Sequence, residues 1–111
     1  MRLTLENGTV INNPTAAQID EALRSLNWLE ENGFAVLAVE DWTYMQTAQE
    51  DDPDQQEPMF VLEYQDGSLQ EHYQAIDGPL GLDRVIEAFQ KYVHGDASWQ
   101  ADFKWERQEL S

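Results

Sequence analysis

Glu63 and His72 are the pair on which a chemical reading of this chain turns. A carboxylate and an imidazole within reach of each other can divide general-acid and general-base work, and both fall in LEYQDGSLQEHYQ, Leu62 to Gln74. Asp66-Gly67 at its centre signals a two-residue hairpin turn. That turn pairs Tyr64 with Leu69, Glu63 with Gln70, Leu62 with Glu71 and Val61 with His72. Alternation then places Phe60, Leu62, Tyr64, Leu69 and Tyr73 on an apolar face with Glu71 among them. Val61, Glu63, Gln65, Gln70, His72 and Gln74 share the polar face. Glu63 and His72 therefore have a geometry open to acid-base work, whereas Glu63 and Glu71 point apart, which defeats a paired-carboxylate mechanism.

Glu71 is the residue out of pattern. An unpaired buried carboxylate is too costly, so it must find donors, reach the sheet margin or shift its protonation. Two readings follow: a structural one, at the sheet edge or paired with a tyrosine hydroxyl or Arg84, and a functional one, as a recognition or catalytic carboxylate. Other catalytic templates fail. The two histidines, His72 and His94, lie in different elements without HxxxH or HExxH spacing, so no metal is expected. Ser25, Ser68, Ser98 and Ser111 have no GxSxG setting, and neither a GxGxxG nor a Walker-type loop occurs. No cofactor and no catalytic residue are assigned.

The remaining chemistry is surface charge. With 22 Asp plus Glu against 6 Lys plus Arg in 111 residues, the formal net charge is −16. Such a surface repels phosphates and anionic lipid head groups, so direct binding to nucleic acid or membrane is disfavoured. It favours solubility, and fast association with a basic partner. The chain has no cysteine, which excludes disulfides and thiolate chemistry and fits a reducing cytoplasm. The longest apolar run, FAVLAV, is far too short to span a membrane, and residues 1–111 are expected to form a single domain.

The elements that must position these groups are read from periodicity and turn chemistry. RLTLE and TVIN around Asn7-Gly8 predict an opening hairpin. Ile19, Ala22, Leu23 and Leu26 predict a helix from about Thr15 to Trp28, begun by a Thr15/Gln18 capping box. FAVLAVE reads as a buried strand, and TYMQTAQ as a more polar one with Tyr44, Gln46 and Ala48 on one face. Glu50 to Pro58, acidic and rich in proline, reads as an exposed loop. Leu82, Val85, Ile86, Phe89 and Val93 predict a second helix capped by Gly95. A turn around Asp96 to Trp99 and a closing strand through Phe103 and Trp105 complete the order β-β-α-β-β-β-β-α-β. The class is α+β, a mainly antiparallel sheet of six to seven strands with two helices on one face. Trp42, beside Asp41 at a turn, is expected to cover a sheet end or to anchor an interface.

This order, with YMQTA, LEYQDGSLQEHY, the helix LDRVIEAFQKYVHGD and the closing FKWERQEL, resembles the small α+β immunity proteins of bacterial polymorphic toxin systems. These are often encoded beside deaminase toxins, and the chain is equally similar to stand-alone bacterial relatives without assigned function. The resemblance implies a non-enzymatic protein that occludes a toxin domain. The expected contact surface joins Tyr44, Gln46, Glu63, Gln70, Glu71 and His72 with the acidic loop residues Glu50, Asp51, Asp52, Asp54 and Glu57. The partner would be a basic protein domain, the chain itself a monomer or weak homodimer. The rivals are an accessory protein that dimerises through a sheet edge and a small hydrolase-like enzyme using Glu63 and His72.

Overall fold

The computed structural model describes residues 1–25, 33–49, 59–76 and 80–108. Strand β1 (Arg2–Leu5) buries Leu3 and Leu5 and returns as β2 (Val10–Asn12) through Gly8, whose φ of 90° suits glycine. Helix α1 (Ala16–Ser25) opens on the expected capping box: the Gln18 N–H donates to Thr15 Oγ1 at 3.1 Å, and the Thr15 N–H to Gln18 Oε1 at 2.9 Å. Its buried face is Ile19, Ala22 and Leu23; the expected continuation through Leu26 to Trp28 lies outside the described residues.

Strands β3 (Phe34–Glu40), β4 (Thr43–Gln49), β5 (Phe60–Asp66), β6 (His72–Ala75) and β7 (Trp105–Arg107) join the first two. Helices α2 (Leu82–Val93) and α3 (Ser98–Ala101) lie between β6 and β7. The described strands form one antiparallel sheet in the order β2-β1-β3-β4-β5-β6-β7, so the α+β class holds. The order differs from expectation by α3, where a turn was anticipated. Trp99 drives that difference: the short helix drops its indole into the core, 7% exposed, edge-on to Tyr64, Tyr92 and Trp105.

One face of the sheet carries the core. Leu3, Leu37 and Met45 lie in one cross-strand row, and Leu5, Ala35, Thr47 and Leu62 in the next. All but Thr47, whose hydroxyl donates to the Val61 carbonyl at 2.7 Å, join one cluster with Ile19 and Leu23 of α1 and Val85, Ile86 and Phe89 of α2. Each large side chain withdrawn from water contributes about 1.5–3 kcal/mol. The helices are tied by the Gln90 amide, which donates to the Ala16 carbonyl at 3.0 Å, and by Arg24, which bridges Asp20 at 2.8 Å and Asp83 at 2.6 Å. Helix α2 ends as Gly95 predicts. At φ 72° it lets the Gly95 N–H reach the Tyr92 carbonyl and the Asp96 N–H reach the Lys91 carbonyl.

Two expectations are corrected. FAVLAVE is buried on one side only, because the helices cover one face. Ala35 and Leu37 are fully buried, whereas on the other side Phe34 is 39% exposed and Val36 and Ala38 are half-buried. The β5–β6 hairpin does not close at Asp66-Gly67; the pairs are Gln65 with His72, Tyr64 with Tyr73 and Glu63 with Gln74. A 3-10 turn over Leu69–Glu71 fills the longer connection, and the Gly67 N–H bonds instead to the Trp42 carbonyl at 2.9 Å. The tight turn would have set Glu71 opposite Leu62 in the core. The observed slip frees that carboxylate to solvent and stacks Tyr64 on Tyr73 at 5.0 Å. Because the slip is four residues, the face of every strand side chain is unchanged.

Candidate functional site

Antiparallel pairing fixes three side-chain rows on the face that bears no helix. One runs Val10, Thr4, Val36, Gln46, Glu63, Gln74, Glu106; the next runs Asn12, Arg2, Ala38, Tyr44, Gln65, His72. A short third row holds Phe34, Ala48 and Val61. The third row and the β3 positions Val36 and Ala38 are thus apolar, and the two long rows are polar from β4 to β7.

The polar half is joined by hydrogen bonds. The Tyr44 hydroxyl donates to Gln65 Oε1 at 3.2 Å, and the same oxygen lies 3.1 Å from His72 Nδ1. Gln65 Nε2 donates to the Trp42 carbonyl at 3.2 Å, while His72 Nε2 meets Glu63 Oε2 at 3.0 Å. Gln46 Nε2 donates to that carboxylate oxygen at 2.6 Å. Gln65 and His72 are 1% and 3% exposed although no helix covers them, and among the described residues no buried side-chain polar atom lacks a partner.

The direction of these bonds follows from chemistry. The Gln65 amide nitrogen is committed to the Trp42 carbonyl, so its oxygen faces the ring, and an amide oxygen only accepts. Nδ1 is therefore the donor. The contact between Nε2 and Glu63 then closes as a hydrogen bond when a proton lies between them, as in an imidazolium–carboxylate pair. A ring with one proton satisfies one side and turns a lone pair to the other. Burial, reinforced by the Glu63 charge, raises the Tyr44 hydroxyl above the ordinary tyrosine range, which keeps it a donor at neutral pH.

Of the expected contact residues, the fold brings together Tyr44, Gln46, Glu63 and His72. Gln70 and Glu71 are exposed in the 3-10 turn, off the strand that was to carry them, because the hairpin closes later. The Tyr73 hydroxyl donates to Glu71, the structural reading of that carboxylate. Glu50, Asp51, Asp52, Asp54 and Glu57 lie outside the described residues. Gln65, which alternation places on this face, is the hub that the expected contact set omits.

No protein-family model matches this chain, and no curated protein or solved structure is significantly similar to it.

Among the described residues, two hollows open elsewhere. One is lined by Met1, Arg2, Asn12, Asn13 and residues 38–41, the other by Arg84, Glu87, Ala88, Asp102 and Phe103; neither includes Glu63 or His72. Among the described residues no three His, Asp or Glu side chains converge as metal ligands, and no helix is long and apolar enough to cross a membrane. Trp42, at the β3–β4 turn, is 56% exposed.

Proposed function

We propose that this chain is a binding protein of the immunity type, which neutralises a basic toxin domain in the bacterial cytoplasm by docking it on the helix-free face. The observation that carries this reading is the hydrogen-bonded, carboxylate-bearing sheet face built from Tyr44, Gln46, Glu63, Gln65 and His72 on a chain of net charge −16. A surface already held in one geometry loses little side-chain entropy on association. A toxin that acts on nucleic acid needs a basic groove, and an anionic body is steered toward it.

The Glu63–His72 pair at 3.0 Å is the observation that favours the enzyme reading. Its wiring favours the binding role. Both ring nitrogens are engaged inside the protein, and at 3% exposure the ring offers no nitrogen to a substrate.

Affinity purification from the native host should recover a basic protein with a toxin domain. Calorimetry of the purified pair should then show at least tenfold weaker binding for Glu63→Gln. A retained partner whose affinity is indifferent to Glu63→Gln and Gln46→Ala, or measurable turnover lost on His72→Ala, contradicts the proposal.

A further inference from the structure

The wired polar half is small. It covers four strands about 4.8 Å apart and two rows about 6.8 Å apart, a flat area of roughly 260 Å². Even doubled for side-chain relief, that falls short of the about 800 Å² per partner that specific interfaces bury. Any stable complex on this face must extend beyond it.

The adjoining surface is apolar and continuous with it. Val36, Ala38, Ala48 and Val61 are half-buried beside the polar rows, and Phe34 and Val10 are 39% and 51% exposed at their margin. Trp42 stands 56% exposed at the β3–β4 turn, two residues before Tyr44. Its turn is held by two bonds to the Trp42 carbonyl, from the Gln65 side chain at 3.2 Å and from the Gly67 N–H at 2.9 Å. An exposed indole on a pinned turn, beyond the Ala38–Tyr44 pair and beside a satisfied polar network, has the make-up of an interface hot spot.

We infer that the apolar half of this face, Phe34, Val36, Ala48 and Val61 with Trp42, is the second part of one docking surface. Its occupant is an amphipathic basic segment of a protein partner, with apolar side chains over β3 and β4 and cations over Glu63 and Glu106. This rests on the binding reading and names the partner's chemistry. Charge decides between occupants: a second copy would set −16 against −16 and bring the same carboxylates together, whereas a cationic segment complements them.

Two synthetic peptides of equal charge test it against the ¹⁵N-labelled chain: an arginine octamer, and a 16-residue peptide alternating arginine with leucine. The alternating peptide should bind at least tenfold more tightly. It should shift the Trp42 indole and the amides of Val36, Ala48 and Val61 as well as those of Gln46, Glu63 and His72; the octamer should shift only the latter group. Phe34→Ser and Trp42→Ala, both at exposed sites, should remove the difference between peptides without lowering the thermal midpoint. Equal binding of both peptides on the polar half alone overturns the inference and leaves the binding reading standing. Binding of neither to this face overturns both. Dimerisation through this face, seen by sedimentation and abolished by Trp42→Ala, overturns the choice of occupant.

Discussion

The two faces of this sheet are made by the same strands and solve opposite problems. On the helix-covered face Leu37, Met45, Leu62 and Phe89 are buried because water is excluded, and their packing is held mainly by apolar area. On the free face Gln65 and His72 are equally buried, yet each polar atom is matched to a named neighbour. The first arrangement tolerates apolar side chains of similar volume. The second tolerates almost no change in donor or acceptor, because each loss strands a buried group. Stability should therefore depend mostly on one face and recognition mostly on the other.

Phe89→Ala should break the first face most severely, with a loss of about 3–5 kcal/mol in urea unfolding and no change in peptide affinity where the protein remains folded. Gln65→Leu keeps volume but strands the Tyr44 hydroxyl and His72 Nδ1, and leaves the Trp42 carbonyl with the Gly67 N–H alone. The expected loss is about 2–3 kcal/mol, with displaced Trp42 resonances, since each orphaned buried group costs about 1–3 kcal/mol. If Gln65→Leu proves neutral, the free face is no more constrained than open surface. Thr15→Ala, at the start of α1 and remote from both rows, should cost about 1 kcal/mol and leave binding untouched.

A pH experiment sharpens the contrast on the core side. Burial pushes the Tyr92 hydroxyl up to about 12, against an ordinary value of 10.0. The folded state thus keeps a proton that the unfolded chain has released. Its contribution is fully present below pH 10 and is lost as pH rises from about 10 to about 12. Tyr92→Phe should flatten that part of the alkaline unfolding profile, and an unchanged profile would remove Tyr92 as its source.

Much of this was legible in residue order, for local reasons. The capping box at Thr15 and Gln18, the left-handed cap at Gly95 and the alternation through β4 and β5 each depend on neighbours within a few positions, so spacing alone exposes them. The register of the second hairpin was not legible in the same way. Asp66-Gly67 locally favours a tight turn, but the turn it favours would bury Glu71, and the tertiary cost wins. Gln65 was placed on its face by alternation, yet its role as hub needs the Trp42 carbonyl to come within 3.2 Å, a contact across 23 residues. The apolar half of the free face was hidden in FAVLAVE, since a run of apolar residues does not say whether one side or both will be covered.

The central claim is that the helix-free face docks a basic protein. Amide-shift mapping of the labelled chain with its purified host partner tests it most directly. The account predicts a footprint over Val36, Tyr44, Gln46, Glu63, Gln65 and His72 that spares α1 and α2. A footprint on the helices, or one that leaves Glu63 and His72 unmoved at saturation, would contradict it.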